Sequence, residues 1–240
     1  MARTSKESID NWFDNNLDLT NRIMYVGSVH NAHEHESGVD AYMAEYAIKG
    51  IQLLELRNSE PITIIMNNPG GDFFHGLAIY DTIKYSSCHC TIKVYGHAMS
   101  MGSLILQAAD KRIMMPNARF MIHYGYDAKY DNVKTVEKWI DEGKRLAYEM
   151  ENIYLDVMLE KEEKEGHGYL AKIISGIMAR QSALEYPLPT TKIYSFSKNL
   201  DKKREEIRAV LKEMLNFDTI LNAEETVALG FADEIYKLKK

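Results

Sequence analysis

Apolar residues in this chain recur in two rhythms. Ile62-Thr63-Ile64-Ile65-Met66 is a nearly continuous apolar run of strand length, and it breaks into Asn67-Asn68-Pro69-Gly70-Gly71. Residues 22–27 and 91–95 are shorter β-branched and aromatic runs of the same kind. Residues 119–122 form a further strand that ends in His123. Between these runs the apolar spacing changes to three and four. Tyr42, Tyr46 and Leu53, with Met43, Ala47 and Leu54, predict a helix within 38–57. Residues 74–83 and 103–109 predict two more. Repeated strand–turn–helix units of this kind point to α/β layers around a largely parallel sheet.

The clearest long-range pattern follows His123. Val133, Val136, Ile140, Gly143, Ala147, Met150, Tyr154 and Val157 recur at spacings of three and four, and Trp139, Leu146 and Ile153 widen the stripe. The pattern predicts one long amphipathic helix with a heptad-like seam, too long to lie wholly on one small core. The charge run Glu160-Lys161-Glu162-Glu163-Lys164-Glu165 reads as its solvated end, broken by Gly166 and Gly168. A short apolar helix over 169–179, a break at Pro187 and Pro189, an extended piece over 192–196 and a helix over 201–215 come next. Residues 225–230 read as a helix ending at glycine, and 231–235 close the fold. Residues 1–18 are polar with isolated apolar positions and read as an N-terminal arm. The expected organisation is that arm, an α/β catalytic head from 19–132 and 200–240, and a handle over 133–199.

Composition narrows the class. The 240 residues are 45% hydrophobic and 27% charged, as in an ordinary globular protein, and a net charge of −6 argues against a nucleic-acid partner. No apolar run reaches the length of a membrane span, and no signal core follows the first residues, so the expected compartment is the cytoplasm. Cys88 and Cys90 flank His89, but no further ligand accompanies them, so buried reduced thiols are expected. His30, His33 and His35 crowd one loop that lies outside every other candidate site.

The chemistry gathers at Gly96-His97-Ala98-Met99-Ser100-Met101-Gly102, a turn between a strand and a helix. A serine hydroxyl is a weak nucleophile that needs open presentation and an adjacent base. Ala98 replaces the first glycine of the Gly-x-Ser-x-Gly elbow, and a plain helix-capping serine is the competing reading. His123 at a strand end is the candidate base, with His75 and His97 as rivals, and Asp218 before a helix start is the candidate orienting acid. The Gly70-Gly71 pair lets the backbone turn sharply and aim an N–H.

Four motifs occur in one order: Asn68-Pro69-Gly70-Gly71; Ser100-Met101-Gly102; Pro116-Asn117-x-Arg119-x-Met121-Ile122-His123; and Asp218-x-x-x-Asn222-Ala223-x-Glu225 with Ala228, Gly230 and Asp233. Together they resemble the proteolytic subunits of ATP-dependent Clp proteases, over about residues 20–160 and 200–236. The resemblance implies a crotonase-like α/β fold with a protruding handle helix. It implies Ser100 as nucleophile, His123 as general base, Asp218 as its orienting acid, and the N–H groups of Gly71 and Met101 as an oxyanion hole. It also implies a chambered homo-oligomer of heptameric rings paired through the handle, polypeptide substrates and an AAA+ unfoldase as partner. It implies no directly bound cofactor, with ATP used only by that partner.

Two departures stand out. Residues 160–199 fit the family poorly and read as an insertion at the tip of the handle. Many relatives flank the acid with arginine to couple it to the neighbouring ring, where this chain has Phe217 and Thr219. They keep open a non-catalytic or partner-activated ring subunit, and the shared fold keeps open an enzyme of acyl-coenzyme A thioesters.

Overall fold

The computed structural model describes residues 6–27, 38–125, 131–185 and 193–238. The histidine loop, the stretch 126–130 after His123, and Pro187 and Pro189 lie outside them. The elements in order are α1 (Lys6–Asn15), β1 (Leu17–Asp18), β2 (Ile23–Gly27), α2 (Ala41–Arg57), β3 (Ile62–Asn68), α3 (Phe73–Lys84), β4 (Cys90–Met99), α4 (Met101–Leu106), β5 (Lys111–Met114), β6 (Arg119–Ile122), α5 (Val133–Glu165), α6 (Tyr169–Glu185), α7 (Leu200–Leu215), β7 (Thr219–Asn222), α8 (Ala223–Ala228) and β8 (Glu234–Ile235). They group into two compact units. One holds 1–121, 220–224 and 232–240, and the other 122–219 and 225–231.

The first unit is built on a sheet in the order β1-β2-β3-β4-β5-β8, with β6 paired to β4 and β7. Apart from the antiparallel β1–β2 pair, the ladders from β2 to β8 are parallel. Parallel strands require crossovers, and α2, α3 and α4 supply them between successive strands. Ile62, Ile64, Met66, Ile92 and Val94 are fully enclosed. Asp40 caps α2 by accepting the Met43 N–H at 2.8 Å, and the helix buries Met43, Ala44, Ala47, Ile51 and Leu54 at helical spacing. Enclosing Ile51 or Leu54 is worth roughly 2 kcal/mol each. Residues 6–18, read as an arm, carry α1 and the short β1, whose Leu17 is buried. Cys88 and Cys90 are free and buried, and burial pushes the Cys90 thiol up to about 11, so it stays protonated.

One strand boundary differs from the expectation. β4 does not stop at Tyr95 but runs on to Met99. Its first half pairs with β5, and His97–Met99 pair with β6. The change of partner occurs at a bulge, where the ladder to β3 jumps from Met66↔Val94 to Asn68↔Ala98. Gly96 sits there at φ +60, and a Cβ on it would meet Asn67 Oδ1 at 2.3 Å. The bend turns the end of β4 away from β5 and delivers Ser100 to β6.

The second unit is helical. α5 spans 33 residues, and Asn132 caps it by accepting from the Thr135 N–H at 3.1 Å. Its buried residues begin at Met150 and continue through Tyr154, Leu155, Met158 and Leu159. No residue from 133 to 149 is buried, and Val133, Trp139, Ile140 and Tyr148 are exposed. The predicted seam is therefore covered by its own chain only over its second half, where α6 and α7 pack. Leu170, Ile174 and Ile177 of α6 are buried, and Tyr154 meets Phe231 edge-on with ring centroids 5.5 Å apart.

α6 leaves from the buried end of α5 and packs against it. Its Arg180 binds Glu225 of α8 through two bonds of 2.8 Å. One expectation about this region needs correction: the 160–165 charge run is not wholly solvated. Glu162 is only 1% exposed, and it accepts the N–H groups of Gly168 at 2.7 Å and Leu170 at 2.8 Å. Gly166 (φ +102) and Gly168 (φ +88) reverse the chain there, so the first N–H groups of α6 need an acceptor, and Glu162 provides it. Lys203 stands 3.8 Å from the same carboxylate. Glu162→Ala is expected to lower the unfolding free energy by about 3 kcal/mol, with Glu162→Gln losing clearly less. Urea denaturation read by circular dichroism checks this; equal midpoints for wild type and Glu162→Ala would refute it.

Candidate active site

β3 ends in Asn68, which is fully buried, and its carboxamide makes the turn that follows. Oδ1 accepts the Gly70 N–H at 2.8 Å, and Nδ2 points to the Met43 sulfur at 3.3 Å. Gly70 and Gly71 then adopt φ +106 and +140. A Cβ on Gly70 would lie 2.5 Å from Ser100 Cβ and 3.0 Å from Ser100 Oγ, so this backbone runs directly against the serine. Val39 holds the other side of the turn: its N–H donates to the Gly70 carbonyl, and its carbonyl accepts from the Asp72 N–H at 2.8 Å. Asp72 in turn caps α3 through the His75 N–H at 2.9 Å.

Ser100 occupies an unusual backbone conformation, φ +51 and ψ −124. A non-glycine residue there stores strain that its neighbours must impose. They do so at two points. The Ser100 N–H donates to the Met121 carbonyl at 2.9 Å, and the Ser100 carbonyl accepts from Ser103 N–H at 2.9 Å and Ser103 Oγ at 2.6 Å. Ser100 stands at the N-cap position of α4, but its side chain makes no capping bond there. Met101 follows as the first residue of α4, and its side chain packs where a Cβ on Gly76 would be. Gly102 is equally confined, since a Cβ on it would lie 2.7 Å from Asn68 Oδ1. Met121, which holds the serine N–H, stands two residues before His123 in the chain.

In the second unit, His123 Nδ1 and Asp218 Oδ1 are 2.9 Å apart across 95 positions of sequence. The imidazole is largely buried at 15% exposure, whereas the carboxylate is open at 57%. With the proton on Nδ1 donated to Asp218, Nε2 presents its lone pair and can accept a proton. Asp218 stands in a tight turn between α7 and β7. Thr219 N–H donates to the Phe217 carbonyl at 2.8 Å, and Thr219 Oγ1 to the Met214 carbonyl at 2.7 Å. Thr219 is buried and Phe217 is exposed. His75 and His97, the rival bases, have their backbone N–H groups bound by Asp72 and Asn67.

A half-buried serine turn beside a glycine pair, and an imidazole bonded to a carboxylate, are groups of the kinds that acyl-transfer chemistry uses. The family model for Clp protease matches residues 20–166, more than half of the chain. The chain belongs to the Clp protease family. Its mixed α/β architecture agrees with the crotonase-like fold of that family. It is also similar to the ATP-dependent Clp protease proteolytic subunit of Deinococcus radiodurans, 36% identical over 139 residues. That match covers 57% of this chain and 64% of the relative, so the chain spans less than two thirds of the relative's length. The Clp match ends at the Gly166 turn, and α6, α7 and Asp218 lie beyond it.

Sequence reasoning missed the residues that hold these groups. Asn68 carried a signal, because an asparagine two residues before a glycine is a turn-forming arrangement. Thr219 carried none, because the carbonyl its hydroxyl binds, that of Met214, lies on another element. Among the described residues no helix is long and apolar enough to cross a membrane.

Proposed function

We propose that this chain is a serine endopeptidase of the Clp proteolytic-subunit type, with Ser100, His123 and Asp218 as its triad. The observation that carries the reading is the 2.9 Å His123–Asp218 bond, which leaves Nε2 as a base. Ser100 N–H binding to Met121, two residues before that histidine, supports it. His123 removes the Ser100 proton as Oγ attacks a peptide carbonyl. The N–H groups of Gly71 and Met101 stabilise the tetrahedral oxyanion. Asp218 keeps the tautomer and stabilises the imidazolium. His123 then protonates the leaving amine, and water hydrolyses the acyl-enzyme.

No bound cofactor takes part in these steps. By its family the protein works as a cytoplasmic homo-oligomeric ring, on unfolded polypeptides or peptides delivered by an ATP-using unfoldase, with no nucleic-acid or membrane partner. A ring subunit activated only by a partner is favoured by one observation, the open Asp218 with Phe217 and Thr219 beside it. A fluorophosphonate probe separates the two. The purified protein is expected to carry the phosphonyl adduct on Ser100, located by peptide mass spectrometry. A folded, assembled protein that takes no label would overturn self-sufficient catalysis.

A further inference from the structure

His123 is followed by Tyr124, and Tyr124 is fastened twice. Its N–H donates to the Leu215 carbonyl at 2.9 Å, and its hydroxyl donates to Glu151 Oε1 at 2.8 Å. Glu151 lies on the buried part of α5 and is 4% exposed. Its other oxygen meets Arg208 Nη1 at 3.3 Å, with Lys212 Nζ 3.6 Å away. Arg208, 6% exposed on α7, also donates to Asn152 Oδ1 at 2.9 Å and lies over the Tyr148 ring at 4.8 Å. From Arg208, α7 runs to Leu215, and Asp218 follows three residues later. The contacts close a circuit from His123 through Tyr124, Glu151, Arg208 and α7 to Asp218, and back across the 2.9 Å bond.

Burying a carboxylate and a guanidinium is a poor way to gain stability, because their desolvation offsets most of their attraction. What such a pair does supply is direction, since each partner must meet the other in one geometry. Burial, together with the bond to Glu151 and its charge, raises the Tyr124 hydroxyl well above its ordinary range, so it remains a donor. We infer that Tyr124, Glu151 and Arg208 are positioning residues that set the His123–Asp218 distance. The inference rests on the triad reading given above.

Tyr124→Phe tests it, because the ring and the backbone bond to Leu215 remain while the hydroxyl goes. With a small fluorogenic peptide, kcat is expected to fall about tenfold with KM within about twofold, since a small misplacement of a base is felt in the transition state. In an Asp218→Asn background the same change should cost less than about twofold, because the pair it positions is already broken. An Ile174→Val control loosens the same unit without touching the circuit and should leave kcat unchanged. Equal losses in both backgrounds, or no loss in the parent, would overturn the inference. The geometry has its own readout, the downfield Nδ1–H proton resonance of His123, assigned by its disappearance in Asp218→Asn. Tyr124→Phe should broaden or shift it. An inert parent with a shifted resonance would fault the catalytic reading alone, and an unshifted resonance would refute the positioning role.

Discussion

Ser100→Ala is expected to take peptide hydrolysis to background, a loss of about 10⁶-fold in kcat, and to abolish fluorophosphonate labelling. The alanine removes the proposed nucleophilic oxygen and leaves the turn in place, because its two anchors are backbone bonds to Met121 and Ser103. A loss of activity here therefore reports chemistry rather than folding. Asp218→Asn makes a graded companion. The amide keeps the shape of the carboxylate that stands 2.9 Å from His123 but no longer holds the Nδ1–H tautomer or stabilises the imidazolium, so a loss of about 10⁴-fold is expected. The two variants compared by labelling rate order the groups. Labelling that persists in Ser100→Ala would place the nucleophile elsewhere.

Gly71→Ala should lower activity and stability together. At φ +140 any side chain is strained, at about 1–3 kcal/mol. The new Cβ would also lie 2.3 Å from Val39 N and 2.4 Å from Val39 O, which are backbone atoms with nowhere to go. The turn must open, and the Gly71 N–H moves with it. Loss of one such donor costs about 10²–10³-fold in kcat, with a lowered melting temperature besides. Gly143 in α5 is the contrast, since a Cβ there meets nothing within 4 Å. Gly143→Ala should raise stability by about 0.5–1 kcal/mol and leave kcat alone. Thermal melts and kcat on the two variants check both halves. An active, stable Gly71→Ala would remove the glycine pair from the mechanism.

The sheet was legible because parallel strands buried on both faces must be apolar runs, and the helices because their buried faces repeat at three and four. What local pattern missed was set by distant partners. β4 continues past Tyr95 because Gly96 bends it from β5 to β6, and a lone glycine in a run does not disclose which strands wait on either side. Glu162 reads as one more charge in a charged run, and only the return of α6 makes it a buried acceptor. The long stripe of α5 was correct as a helix, yet its spacing is the same before and after Met150, where burial begins. His123 and Asp218 stand 95 positions apart, so no spacing rule could pair them. They were named together through a family resemblance, and the hydrogen bond between them is what the structure adds.

Val39 has two attachments that act together. It bridges to Gly71 in parallel register, and in the chain it directly precedes Asp40, the cap of α2. The candidate donor amide is thus one residue and one ladder step from a 17-residue helix packed on the sheet. Sub-ångström shifts matter to a reacting group. The seat of α2 on β2 and β3 is therefore subject to a tolerance much narrower than folding alone would set. Substitutions at Met43, Ala47 or Ile51 that leave the protein folded can drift out of register with the turn. Sequence variation on that inner helix face is bounded by alignment before it is bounded by stability.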